Sequence, residues 1–356
     1  MRMKRLFVLA LIVVASMVLA ACVAGPTPTP AHRTLRMMTH DSFDISEEVI
    51  AAFEEEHNAT VEVLQSGDAG VMLNQAILSK DDPIADVLYG VDNTLLSRAL
   101  NEGVFEAYES PMLEQIPDQF ELDDEYRALP VDYGDVCPNY DKAWFEENDV
   151  EPPTDIEDLT APEYEGLTVV EDASTSSPGL AFLLATIGHF GESGDYTYLD
   201  YWGDLVDNDV LVAQDWNAAY YDHFTVYGGG DRPIVISYAS SPPVEVLFSE
   251  EALEEAPTAA VVENESCFRQ VEFVGILQGT ENRDLAEAWV DYMLGVAFQE
   301  DIPLHMFVFP TNENAELPEV FAEFAVIPDD PAQVDFEAIE ENREQWIDAW
   351  AEVALQ

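Results

Sequence analysis

Six short clusters combine aromatic, acidic and hydroxyl side chains at positions where a chain of this pattern would expose them together. They are His40-Asp41-Ser42, Gly90-Val91-Asp92-Asn93, Ser174-Thr175-Ser176-Ser177-Pro178-Gly179, Asp215-Trp216 with Tyr220-Tyr221, Ser237-Tyr238-Ala239-Ser240-Ser241-Pro242, and Met306-Phe307-Val308-Phe309-Pro310. Trp216, Tyr220 and Tyr238 could form a stacking wall, and a flat cation desolvated against such a wall gains about 0.5–2 kcal/mol per aromatic face. An adjacent carboxylate would add Coulombic selectivity. The Ser/Thr run before the apolar stretch 180–187 offers free backbone N–H groups and a helix dipole to a phosphate or carboxylate. Each cluster also has a structural reading: Asp41 and Ser42 as a turn or cap, Asp92 and the Ser/Thr run as helix caps, and each of the aromatics, Phe307 and Phe309 included, as core.

Catalytic constellations are missing. The six histidines are scattered, no His/Cys cluster has metal-ligand spacing, and neither a Gly-x-Ser-x-Gly elbow nor a phosphate-binding loop occurs. Gly228-Gly229-Gly230 reads as a turn. The clusters therefore suggest binding without chemistry, with no metal and no cofactor.

The elements that must position these clusters follow from hydrophobic periodicity. Strands are expected at 34–39, 59–65 and 85–89, alternating with helices at 47–56 and near 71–78, and Ser46 caps the first helix. This order predicts a mostly parallel sheet flanked by helices. The pattern changes around 128–140, where the chain is expected to cross into a second lobe. That lobe should hold a strand at 167–171, helices from 179, near 198–208 and around 217–227, and a strand at 233–238. A strand at 267–277 carries the chain back; 284–293 is helical, 302–310 extended, and 335–353 a terminal helix. The expected fold is α/β, with mixed sheets, two lobes and a two-crossing hinge. Its parts are lobe 1 at 34–131, lobe 2 at 132–270 and a return to lobe 1 at 271–356. The cleft between the lobes is where ligands bind in such architectures.

The N-terminus addresses the chain. Arg2, Lys4 and Arg5 precede an apolar stretch, 6–20, too short for a permanent membrane span, and residues 1–21 read as a signal peptide. Leu19-Ala20-Ala21-Cys22 is similar to a bacterial lipobox, so Cys22 is expected to carry lipid, and the proline-rich segment 22–33 to be a tether. The chain is expected to be exported and anchored at the outer face of the cytoplasmic membrane, or periplasmic. With 13 Lys+Arg against 72 Asp+Glu, the formal net charge is -59, which argues against nucleic acid as a partner. If Cys22 is lipidated, Cys137 and Cys267 remain as a pair: a disulfide, two separate buried thiols, or one catalytic thiol.

Taken in order, several segments resemble the periplasmic thiamine-binding component of the thiamine ABC transporter family. They are Thr39-His40-Asp41-Ser42-Phe43, the run from Ala85 through Gly90-Val91-Asp92-Asn93 to Leu96, Val131-Asp132-Tyr133-Gly134, and Thr175-Ser176-Ser177-Pro178-Gly179-Leu180. Trp216 to Tyr220, Ile236-Ser237-Tyr238 with Ser240-Ser241-Pro242, and Ala297-Phe298-Gln299 with Ile302-Pro303 complete the series. The resemblance implies a type II solute-binding lipoprotein, expected as a monomer, that closes on thiamine, thiamine monophosphate or thiamine diphosphate and delivers it to membrane permease subunits. It puts ligand contacts on His40, Asp41, Ser42, Asp92, Trp216, Tyr220, Tyr238, Ser240 and Phe307, and phosphate contacts on Ser176 and Ser177. The chain departs from the family in having His40 where a tyrosine is usual, Phe307 where a tryptophan is usual, and no Gly/Trp insertion after the first strand. Two other functions of the same general fold are a ferric-iron carrier using Tyr220-Tyr221 and a secreted thiamine-cleaving enzyme using a free cysteine.

Overall fold

The computed structural model describes residues 32–227, 229–249 and 253–355. The expected signal peptide, Cys22 and the tether as far as residue 31 lie outside the described residues. Among the described residues eleven strands form one sheet: β1 (Arg33–Thr39), β2 (Ala59–Gln65), β3 (Val87–Asp92), β4 (Phe105–Glu106), β5 (Leu129–Asp141), β6 (Thr168–Glu171), β7 (Leu211–Ala213), β8 (Ile234–Tyr238), β9 (Thr258–Ala260), β10 (Phe268–Leu277) and β11 (Phe309–Pro310). Their order is β2-β1-β3-β10-β5-β8-β6-β7, with β4 on β10 and with β9 and β11 on β5.

Two kinds of pairing meet in this sheet. β1 runs parallel to β3, and β6 runs parallel to β7 and β8. Between these groups β10 and β5 are antiparallel to each other and to their outer neighbours β3 and β8. Parallel neighbours need a crossover, and the helices Glu47–His57 and Ala69–Leu78 supply it on one side, Ser177–Phe190 and Tyr198–Asp207 on the other. The lobe boundaries expected at 131/132 and 270/271 fall inside β5 and β10. Residues 268–274 pair there with 129–136, so the sheet is continuous, and Thr34–Gln356 clusters as one compact unit.

Local chemistry explains the elements around the site. The helix Ser177–Phe190 is apolar on all sides, and its first eleven residues are buried, as a helix packed against several neighbours must be. Ser46 caps Glu47–His57 through the N–H of Val49, and Thr197 forms a capping box with Asp200. Two segments differ from expectation. Residues 302–310 are not extended throughout: Ile302–His305 is a helical turn with Pro303 in its first turn, where proline loses no hydrogen bond, and β11 follows. Residues 217–227 form a wide π-helical turn, Ala218–His223, and a 3-10 turn, Thr225–Tyr227, instead of an α-helix.

Cys137 in β5 and Cys267 just before β10 are joined by a disulfide, both side chains fully buried. The bond ties together the two strands through which the chain leaves and re-enters the first group of strands. It also consumes both thiols that could have served as nucleophiles.

Candidate functional site

A cavity of about 680 Å³ opens where the C-terminal ends of β1 and β8 meet the N-termini of two helices. Its size falls within the range that encloses a small organic ligand. The loop that leaves β1 delivers His40, Ser42 and Asp44. Asp68 stands at the start of Ala69–Leu78; Ser177 and Pro178 start Ser177–Phe190. β8 ends at Tyr238, and β10 contributes Glu272. Part of the lining is apolar: Val244, Leu247, Phe248, Leu304, Met306 and Phe307, with the rings of Phe248 and Phe307 6.1 Å apart and Phe248 70% exposed.

One wall is aromatic, and its position is fixed from behind. Trp216 stacks on Tyr220 with ring centroids 4.8 Å apart and planes 18° apart. Its indole Nε1 donates to Ser237 Oγ at 3.0 Å, and Ser237 Oγ is in turn 2.9 Å from Ser241 Oγ. Tyr221 meets the indole edge-on at 5.5 Å and lines the cavity. Tyr238 donates its hydroxyl to Gln270 Oε1 at 2.8 Å. Indole and phenol rings held by hydrogen bonds at their polar ends leave their faces to a ligand at little entropic cost.

The floor is a buried acid network with one histidine. Tyr89 donates to Asp132 at 2.5 Å and to Glu272 at 3.1 Å, and the other Glu272 oxygen lies 3.6 Å from His40 Nε2. Burial opposes the charge on His40, but Glu272 beside it more than compensates and raises its pKa. Burial likewise works against the Glu272 carboxylate, and His40 with hydrogen bonds from Asp132 and Tyr89 outweighs it, so the Glu272 pKa is lowered. Burial pushes Asp132 well above the carboxylate range, helped by repulsion from Glu272. Asp68 is also raised by burial, although the amides of Ala69 and Ser177 and the charge on His40 hold it back. Burial takes Asp92 to about 7 in spite of hydrogen bonds from Thr94 and Leu95.

These shifts set a pH dependence. His40 has a raised folded pKa, so its contribution is complete below about pH 6.5 and is lost as pH rises through the folded value. Asp92, Asp68 and Asp132 are carboxyls raised on folding, so the native state holds more protons than the unfolded chain above pH 4, and stability again falls as pH rises. Glu272 acts oppositely, but only on the acid side, losing its contribution as pH drops below its unfolded value. The thermal midpoint should therefore be lower at pH 8 than at pH 6, and Asp92→Asn should flatten that slope. An unchanged or rising midpoint between pH 6 and 8 would contradict the assignment.

Gly90 fits His40 into the floor. Its φ is +99°, and a Cβ there would stand 2.3 Å from His40 Cδ2. Gly90→Ala combines a disfavoured backbone with a steric clash and should cost about 1–3 kcal/mol, read as a lower denaturation midpoint.

Six residues expected at the site line the cavity: His40, Ser42, Ser177, Trp216, Tyr238 and Phe307. Five do not. Asp41 is exposed in a turn, its N–H donating to Gly67. Asp92 is fully buried, accepts from Thr94 and Leu95 as a cap, and is hydrogen-bonded to Gln270. Ser176 is buried at the N-cap of Ser177–Phe190. Tyr220 backs Trp216 and donates to Glu245 at 2.6 Å, and Ser240 donates to the Phe307 carbonyl at 2.7 Å, fixing the rim. The lining residues that none of the six clusters contains include Asp68 and Glu272, and Tyr221, expected in a cluster but not among the ligand contacts, lines the cavity as well. Glu272 carries a readable signal, a single charge inside the apolar strand Val271-Glu272-Phe273-Val274. Among the described residues no group of three or more His, Cys, Asp and Glu side chains is placed to hold a metal ion.

Residues 82–342 match the family described as bacterial extracellular solute-binding protein. A curated relative, the thiamine-binding periplasmic protein of Salmonella typhimurium, is 27% identical over 328 residues, covering 91% of this chain and 94% of its own. A solved structure titled periplasmic thiamin binding protein superposes with a TM-score of 0.78 at 24% identity, covering 92% of this chain and 98% of that one. A ferric binding protein from Campylobacter jejuni superposes at 0.70 with 18% identity, covering 90% and 99%. The likenesses establish the fold anticipated from the sequence, that of type II periplasmic binding proteins.

Proposed function

The chain belongs to the bacterial extracellular solute-binding protein family, and from that premise we propose that it captures thiamine and passes it to the permease of an ABC importer. The observation that carries this reading is the cavity itself. It sets the faces of Trp216, Tyr221 and Tyr238 beside Asp68 and Glu272, with no lysine or arginine among the lining residues. Thiamine joins a permanently cationic thiazolium to an aminopyrimidine, so it needs stacking surfaces, carboxylates and hydrogen-bond partners together. The relatives' name, thiamine-binding periplasmic protein, points the same way.

The protein works without catalysis in this reading. The ligand docks against the aromatic wall, the two groups of strands close around it by a hinge motion, and the permease responds to the closed form. A signal peptide, lipidation of Cys22 and a monomeric state complete the proposal. An iron carrier would need both adjacent phenols free for the metal, whereas Tyr220 commits its hydroxyl to buried Glu245. A ligand that binds only the native state raises the unfolding temperature with concentration. Ligand-stripped protein should show a saturable thermal shift with thiamine and none with ferric citrate; the reverse pattern would move the assignment to iron.

A further inference from the structure

We infer that His40 is a built-in counter-ion of Glu272 whose place a cationic ligand takes, so that capture of the ligand expels a proton from the cavity and its release takes one up. This rests on the thiamine reading and adds the exchange by which the cation is accommodated.

The floor sets one base among several acids. From β10, Glu272 brings an oxygen to 3.6 Å from His40 Nε2. Asp68 acts on the ring from the cap of Ala69–Leu78, and Asp41 from the same loop as His40. Tyr89 of β3 stands beside the imidazole with ring centroids 5.8 Å apart, and its hydroxyl joins Glu272 to Asp132 of β5. Acids on several sides keep the proton on His40 in the ligand-free protein, in line with its raised pKa.

Charge alone holds the pair together. His40 Nε2 is buried and has no hydrogen-bond partner among the described residues, and 3.6 Å is beyond hydrogen-bond length. Loss of the proton therefore forfeits an ion pair and no hydrogen bond. Nor can the ring retreat, because behind it lies Gly90, where even a Cβ would clash with His40 Cδ2. Glu272 and Asp68 share the lining with His40, so a thiazolium drawn to these carboxylates meets the imidazolium beside them. Like charges at such range drive the titratable one to its neutral form. The thiazolium charge is permanent, and the imidazolium gives way. His305, the other histidine of the lining, faces Asp44 at 2.9 Å and Asp301 at 3.7 Å instead. Affinity should then rise with pH over the interval in which the ligand-free protein still holds the proton and the complex has lost it.

The test is an NMR titration of the His40 ring, assigned by through-bond correlation in isotope-labelled, ligand-stripped protein, with and without saturating thiamine. The expected midpoint lies above the ordinary histidine value without ligand and falls by about one pH unit or more with it, while His305 moves less. Calorimetry near neutral pH in two buffers of different ionisation enthalpy should show net proton release, and the dissociation constant should tighten about three- to tenfold from pH 6 to pH 7.5. A His40 midpoint that bound thiamine leaves unchanged or raises would overturn the exchange and leave the thiamine reading intact. An equal shift at His305 would mark a general field of the bound cation and overturn the role of the Glu272 pair. Failure of thiamine to bind at any of these pH values would overturn the reading beneath and the exchange with it.

Discussion

Trp216→Ala is expected to weaken thiamine binding roughly 30- to 150-fold, or about 2–3 kcal/mol. The ring is the side chain best prepared for a flat cation. Tyr220 stacks on its far face, Ser237 accepts from its nitrogen, and Tyr221 stands edge-on to it. Its near face therefore meets a ligand without first having to be ordered. Loss of one desolvated cation–π contact accounts for about 2 kcal/mol, and lost apolar contact for the remainder. Trp216→Phe keeps the aromatic face but not the hydrogen bond and should lose less than tenfold. Equal losses in the two variants would mean that the hydrogen bond to Ser237, and not the ring face, governs affinity. Titration of both variants, with the thermal midpoint of each ligand-free form as a folding control, separates the two.

Removing the disulfide is expected to have the largest effect on stability. Cys137 and Cys267 are 130 residues apart in sequence, and a cross-link over a loop of that length restricts the unfolded chain by about 4–5 kcal/mol in the chain-entropy model. The bond also lies where β5 and β10 exchange hydrogen bonds along 129–136 and 268–274, so its loss loosens the register that sets Glu272 beside Asp132. The double variant Cys137→Ser, Cys267→Ser should lower the denaturation midpoint strongly and, at temperatures where it stays folded, weaken thiamine binding only modestly. Stability equal to wild type would show that the strand pairing alone holds this junction.

Much of the framework can be read from the sequence because periodicity carries it. Thr60 and Glu62 alternate with Val61 and Val63 to mark β2, and Ile339, Trp346 and Trp350 mark the buried stripe of Phe336–Ala354. Where local chemistry has two meanings, the reading slips. Pro242 and Pro243 start the helix Pro242–Leu247, where no element is expected from the sequence, and Pro303 starts Ile302–His305 inside a stretch expected to be extended. Continuity of the sheet through β5 and β10 is a matter of long-range register that no local pattern encodes.

The site divides along similar lines. His40, Trp216 and Tyr238 stand out because strand ends and clustered aromatics are rare enough to notice. Asp68 and Glu272 do not, because among 72 acids a single carboxylate has little weight until the fold shows which ones are buried together. Tyr220 and Tyr221 are adjacent and chemically alike, and only the π-helical turn decides that Tyr221 faces the cavity and Tyr220 the Glu245 side chain.

Calorimetric titration of thiamine into ligand-stripped protein at neutral pH and moderate salt tests the central claim most directly. One-to-one binding with a dissociation constant at or below the micromolar range is the predicted result. Absence of binding at millimolar thiamine, from protein whose unfolding transition shows it to be native, would contradict the account.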